Sequence, residues 1–235
     1  MWVLEDDFAA GRPAWEQAGA TFSNEVQAYE MVKLRLLNGS HSLIAYLGIL
    51  EDLPTISDAW GRDFIQQVVR LGMEKDYLPT FAVPTGFDPQ AYIEQLSERW
   101  ANPLIEHGTT QVGSDGSQKL LQRIPEAALY SLERGEIPHC LALCVAAWIA
   151  AVCPPDGFHA PALTKEIREP NLERLLEATR GARSYKEHAQ RIVDGGFFPA
   201  ELSNHEAFTA RVTELLELIV RFSAKAAAEQ VIQSY

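Results

Sequence analysis

Positive charge is scarce in this chain. Its 235 residues include 20 Lys and Arg against 32 Asp and Glu, a formal net charge of −12. Nucleic acids and anionic membrane surfaces attract clustered positive charge, so neither is an expected partner.

A long apolar run is also missing. The most apolar stretch, Cys140 to Cys153, is too short to cross a bilayer and predicts a buried helix. The N-terminus has no basic segment ahead of an apolar run, so we expect a cytoplasmic protein.

Cysteine is scarce too, with Cys140, Cys144 and Cys153 the only three. Their odd number, and the spacing of the first two on an apolar stretch, predict buried reduced thiols. A metal site at these positions would need further ligands, yet beyond His139 the neighbours are apolar. Since no Cys-x-x-Cys or His-Glu-x-x-His motif occurs either, we expect no metal cofactor.

Motifs that cradle phosphates are missing as well. The chain has no Gly-x-Gly-x-x-Gly, no P-loop and no Gly-x-Ser-x-Gly nucleophile elbow. We therefore expect no cofactor-binding residue in this chain and no NAD or NADP binding by it alone.

Helical periodicity fills most of the sequence. Apolar residues recur at helical spacing from Val26 to Leu50 and from Phe208 to Val220, which predicts a central helix and a long outer helix that continues to Val231. Only Trp2 to Leu4 and Ala20 to Ser23 resemble strands. The remaining helices are expected to start near Thr55 or Ser57, Asp88-Pro89, Pro125, Pro138, Glu169-Pro170, Ser184, and Ser203 or Asn204. The pattern predicts one mainly α, multi-helical domain with a short extended N-terminal segment.

Three polar residues stand out in the first helix. Asn38 lies about 140° and His41 about 80° around a regular α-helix from Lys33, so all three can share one broad face. A desolvated lysine amine can accept a proton from an alcohol, and an amide and an imidazole can hydrogen-bond its oxygen. Spacing alone equally fits a solvent-directed lysine, a helix break at Asn38 and a core histidine.

A second polar cluster runs from Asp115 to Lys119, with Arg123 four residues later. If a helix begins near Gln118, Lys119 and Arg123 share one face of it. Two cations there could hold the hydroxyls or the carboxylate of a small substrate. A solvated turn followed by a surface basic pair explains the same spacing.

These segments together resemble a known family. Five segments follow one another in the same order as in the polyol-specific long-chain dehydrogenases. They are Trp2-Val-Leu-Glu-Asp6, Gly11-Arg-Pro-Ala-Trp-Glu16, Tyr29-Glu30, the Lys33…Asn38…His41 segment and Asp115-Gly-Ser-Gln-Lys119…Gln122-Arg123. These dehydrogenases are the mannitol dehydrogenase family, which also includes fructuronate, tagaturonate and altronate oxidoreductases. Its members use NAD or NADP without metal, and a Rossmann domain precedes a helical C-terminal domain.

The resemblance implies specific roles. Lys33 would be the general base, Asn38 and His41 would polarise the reacting oxygen, and Lys119 and Arg123 would border a polyol, ketose or uronate substrate. Residues 1–24 would be a remnant of the nucleotide domain and linker, and residues 25–235 the helical catalytic domain. Met1 falls near the end of the family's nucleotide domain, so we expect that domain to be missing and the chain to be inactive alone.

One smaller departure and one alternative accompany this resemblance. Leu121 stands where relatives commonly have proline, which we interpret as a local packing change. The alternative is a non-catalytic helical module that binds or assembles with a nucleotide-binding partner chain. Lys33, Asn38 and His41 together favour the enzyme.

Overall fold

The computed structural model describes residues 2–235, and most of them are helical. The α-helices, in chain order, are α1 (Val26–Val32), α2 (Ser40–Leu50), α3 (Ile56–Trp60), α4 (Asp63–Leu71), α5 (Pro89–Ala101), α6 (Thr109–Gly113), α7 (Gly116–Arg123), α8 (Pro125–Leu132), α9 (His139–Val152), α10 (Leu172–Thr179), α11 (Tyr185–Ile192), α12 (Ala200–Ser203), α13 (Glu206–Arg221) and α14 (Ala224–Ile232). π-Helical segments span Lys33–Gly39, Gly72–Tyr77 and Val193–Phe197, and 3₁₀ turns span Trp15–Ala18, Leu78–Thr80, Pro103–Ile105 and Ala162–Glu166. The predicted mainly α fold is confirmed.

Helix α9 lies at the centre of the core. It is apolar on every side, as expected for a helix that other helices surround. Helices α13, α2 and α14 pack against it, and the Trp148 side chain is only 1% exposed. The three cysteines are buried and free, which confirms that prediction. No helix within residues 2–235 is both long and apolar enough to span a membrane.

The predicted helix from Val26 to Leu50 is continuous but not uniform. It consists of α1, the π-helical segment Lys33–Gly39 and α2. Nearly all of α2 is buried against α9 and α6, so this part of the helix is central, as predicted. The π-helical segment was not predicted, because apolar periodicity does not distinguish it from α-helix.

The two predicted strands pair with each other. β1 (Val3–Leu4) and β2 (Thr21–Phe22) form a two-stranded parallel sheet in which Val3 lies opposite Thr21. We expect this segment, from the sequence, to be irregular or paired with a partner chain. The structure differs because a turn at residues 15–19, ending in left-handed Gly19, brings the segment back alongside its own start.

Several helix ends differ from the sequence prediction. The single long helix predicted from Phe208 to Val231 is wrong: α13 ends at Arg221, and the Ser223 side chain caps α14 by accepting the Ala226 N–H. Pro138 is the N-cap of α9 rather than part of its first turn. In contrast, the predicted caps at Thr55, Asp88 and Ser184 are confirmed, because each depends only on local sequence.

Candidate active site

The π-helical segment changes the relation between the first two candidate residues. Its hydrogen bonds join residues five apart, so side chains at i and i+5 lie about one turn apart on the same side. Lys33 and Asn38 are separated by this interval. The angle of about 140° between Lys33 and Asn38, which assumes a regular α-helix, is therefore wrong. Short π-helical segments of this kind are frequent at functional sites.

Burial separates two faces of this helix. Val32, Arg35, Leu36 and Gly39 face the core. Lys33 is exposed, and Asn38 and His41 are partly buried. The three candidates therefore share the open side of the helix, with Lys33 at its outer end.

Tyr77 packs against the buried face of the Lys33–Gly39 segment, on the side opposite the open face. A Cβ atom on Gly39 would overlap the Tyr77 ring, so only glycine allows the two π-helical segments to approach this closely. Arg35 fastens the same turn, donating to Thr80 and forming an ion pair with Glu126 at 2.9 Å. The segment next to Asn38 is thus rigidly supported.

His41 lies in an aromatic and cationic environment. Its ring is 5.9 Å from that of Trp100 and 6.0 Å from that of His107, between centroids. Its Nε2 atom is buried with no partner among the described residues. Burial, followed by the charge of His107, lowers the pKa of His41 to about 4. The ring is therefore neutral at physiological pH and can donate one hydrogen bond and accept another.

A small cavity adjoins this ring. His41, Trp100, Arg99 and His107 line it together with the turn after α5, and its volume is about 10 Å³. Space of this size accommodates one oxygen-sized group. In this turn Glu106 has a left-handed backbone, with φ 50°, which is uncommon for a residue other than glycine.

Helix α7 brings two further cations towards His41. Arg123 donates from Nη1 to the Ser42 hydroxyl at 2.6 Å, and Ser42 follows His41 directly. Lys119 donates to the Val112 carbonyl at 3.2 Å and lies 3.9 Å from Asp115. Desolvation lowers the pKa of both Lys119 and Arg123.

Close packing and hydrogen bonds fix the start of α7. The Ser117 hydroxyl and N–H both donate to Glu169, at 2.5 and 3.0 Å. Gly116 packs so closely against Trp148 and Tyr46 that a Cβ there would overlap both. The predicted turn before α7 is therefore partly buried, and Lys119 and Arg123 project from a rigid base.

The structure thus brings His41, Lys119 and Arg123 into one neighbourhood, with Lys33 and Asn38 on the adjoining open face. Arg99, Trp100 and His107 also lie beside His41 but could not be assigned to the site from the sequence. They come from the end of α5 and the following turn, about sixty residues after His41. Asn102 ends α5 ahead of Pro103, as expected for a residue that precedes proline, but nothing in the local sequence indicates that the turn folds against His41.

The described residues include neither a glycine-rich turn that opens a helix nor a cluster of metal-ligating side chains. The left-handed glycines at positions 19, 86, 135, 157, 181 and 196 lie at separate places in the chain, the last of them within the π-helical segment Val193–Phe197, and none belongs to a glycine-rich turn that opens a helix. Within residues 2–235, no group of three or more His, Cys, Asp or Glu is arranged to hold a metal ion. The side chains near His41 are instead suited to binding a small polar molecule.

Comparisons with known proteins agree with this fold. Residues 25–220 match the family model described as "Mannitol dehydrogenase C-terminal domain". The chain is 38% identical over 227 residues to the uncharacterized oxidoreductase YdfI of Escherichia coli, covering 96% of this chain and 46% of YdfI. It is 43% identical over 149 residues to D-mannonate oxidoreductase of the same organism, covering 63% of this chain and 31% of the relative.

A solved structure is similar over nearly the whole chain. Pseudomonas fluorescens mannitol 2-dehydrogenase, in a ternary complex with NAD and D-mannitol, superposes with a TM-score of 0.83 at 26% identity. The match covers 99% of this chain and 46% of that protein. This chain therefore spans less than half the length of these relatives.

Proposed function

Since the chain belongs to the mannitol dehydrogenase family through its C-terminal domain, we propose that it is the catalytic and substrate-binding half of an NAD(P)-dependent 2-dehydrogenase. Its substrate is a polyol or a sugar acid, oxidised to the corresponding ketose or keto acid. The relatives support this reaction class, because they include a D-mannonate oxidoreductase and mannitol dehydrogenases.

The observation that carries the proposal is the π-helical segment at Lys33–Gly39. It separates Lys33 from Asn38 by one π-helical hydrogen-bond interval, and neither these two residues nor His41 belongs to the buried face of the helix. In the reaction, Lys33 takes the proton of the substrate hydroxyl, while Asn38 and His41 hydrogen-bond the oxygen as its negative charge develops. A neutral His41 is suited to this role because it contributes a hydrogen bond without fixing a full charge.

The cofactor contributes the other half of the chemistry. A nicotinamide cofactor, when bound, would supply the acceptor for the hydride that leaves the alcohol carbon. Since no glycine-rich turn opens a helix within residues 2–235, we propose that a separate Rossmann domain holds the cofactor and packs over the open face of the helix. Lys33 is exposed in this chain, and such a domain would exclude water from it. The 235-residue chain alone is then expected to be inactive.

The test joins this chain to a Rossmann domain, taken from the part of the E. coli D-mannonate oxidoreductase outside the matched 31% of its length, where the family resemblance places that domain. Mannitol, fructose, mannonate, fructuronate and tagaturonate are then assayed with NAD(H) and NADP(H). Turnover of at least one of them supports the proposal. A folded fusion that binds nicotinamide cofactor but turns over none of them contradicts it, and favours a non-catalytic helical module.

A further inference from the structure

We propose that Arg123 recognises a substrate carboxylate, which makes a sugar acid, rather than a neutral polyol, the substrate of this protein. This inference rests on the function proposed above.

Two arginines in the described chain are buried, and each has a carboxylate partner. Arg35 pairs with Glu126 at 2.9 Å, and Arg211 pairs with Glu214 at 2.8 Å. A guanidinium withdrawn from water needs such compensation, because its hydration is lost on burial.

Arg123 departs from this pattern. Burial lowers the pKa of Arg123, and the groups that raise it are two tyrosines and a cysteine rather than a carboxylate. Its one hydrogen bond to the protein is from Nη1 to the neutral Ser42 hydroxyl, and no carboxylate lies within ion-pair distance among the described residues. The protein thus holds a partly desolvated cation beside His41 without a counter-ion.

The remaining atoms of this guanidinium have the right geometry for a carboxylate. Nε and Nη2 make no hydrogen bond to residues 2–235, and neither is sealed from solvent. Together they form one side of the planar guanidinium, which binds both oxygens of a carboxylate in parallel. Ser42 fixes the opposite side, so the free edge is oriented before any substrate binds.

The surrounding charge favours an anion as well. Arg99, Lys119 and Arg123 all act on His41 electrostatically, although the whole chain carries a net charge of −12. Three acids lie nearby: Glu169 is occupied by Ser117 and Asn171, Asp115 lies near Lys119, and Glu106, in the turn that lines the cavity beside His41, is exposed to solvent. A carboxylate would be attracted to this neighbourhood, whereas the hydroxyls of a polyol would leave Arg123 without compensating charge.

The test compares two six-carbon substrates, D-mannonate and D-mannitol, in the fusion described above. We expect a higher kcat/KM for mannonate. Arg123→Met should lower kcat/KM for mannonate by about 100-fold, mainly through KM, and reduce the mannonate-to-mannitol ratio by at least about 30-fold. Arg123→Lys, which keeps the charge but not the two-pronged geometry, should retain part of the ratio.

Arg62→Met provides the matched control, because Arg62 is exposed in the link between α3 and α4; it should leave the ratio unchanged. A purely structural role of Arg123 would lower both activities together, and that result overturns the inference, as does a parent enzyme that prefers mannitol. If Arg123→Met does not fold, as judged by its melting curve, Arg123→Lys decides by the same ratio. No turnover of either substrate by the parent refutes the proposed function itself.

Discussion

Replacing Asp76 by Asn should remove a large pH dependence from the stability of this chain. Asp76 is only 2% exposed, in the π-helical segment after α4. Its Oδ2 accepts the N–H groups of Cys140 and Leu141 at the start of α9, at 2.9 and 3.1 Å. Its Oδ1 accepts the Tyr235 hydroxyl. Despite these partners, desolvation raises the pKa of Asp76 from 3.8 to about 7.

The direction and size of the effect follow from this pKa. Between pH 3.8 and pH 7 the folded chain binds more protons at Asp76 than the unfolded chain, so this group's stabilising contribution is full at low pH and is lost as pH rises. Between pH 5 and pH 8, the contribution of Asp76 to the free energy of unfolding falls by about 3 kcal/mol, because about 2 pH units of this interval lie below its pKa in the folded chain. His41 acts in the opposite direction: its lowered pKa removes stability as pH falls from 6.5 towards 4.

Because these two groups oppose each other, the pH profile of the parent alone would hide both. The free energy of unfolding in urea is therefore measured at pH 5 and pH 8 for the parent and for Asp76→Asn. On going from pH 5 to pH 8, the free energy of unfolding of the parent should fall by about 3 kcal/mol relative to that of the variant. Asp7→Asn, at an exposed site, should show no such difference. A parent-to-variant difference that is the same at both pH values would refute the reasoning.

Two further predictions concern the stability of the chain. Gly39→Ala should destabilise the chain by about 1–3 kcal/mol in urea unfolding, because the new methyl group overlaps the Tyr77 ring. The control is Gly11→Ala, which should change the stability little because a Cβ at that position meets nothing within 4 Å. Thr55→Ala should cost about 1 kcal/mol, because Thr55 and Asp58 form a reciprocal capping box at α3; Thr55→Ser should restore most of this in the same assay, and equal losses in both variants would rule out the cap as the cause.

Local sequence was sufficient for the features of the fold that local interactions determine. The caps at Thr55, Asp88 and Ser184 and the buried helix around Cys140 follow from short-range hydrogen bonding and composition. The break at Phe222 and Ser223 was missed, because the apolar periodicity continues from α13 into α14. The π-helical segment depends on packing between Gly39 and Tyr77, which are far apart in the chain.

The candidate site divides in the same way. Lys33, Asn38, His41, Lys119 and Arg123 could be proposed from motifs because each group is contiguous in sequence. The contribution of α5 could not, because His107 approaches His41 only after the helices pack. The missing carboxylate partner of Arg123 is likewise a tertiary property, invisible in the residue spacing.

The most direct test of the proposed mechanism is the turnover of Lys33→Ala in the fusion with a Rossmann domain. Because the base acts in the chemical step, kcat should fall by about 10²- to 10⁴-fold while the nicotinamide dissociation constant is unchanged. Lys165→Ala, at an exposed site, should keep the parent's kcat. A Lys33→Ala variant that turns over within a few-fold of the parent would show that Lys33 is not the base and would contradict the account.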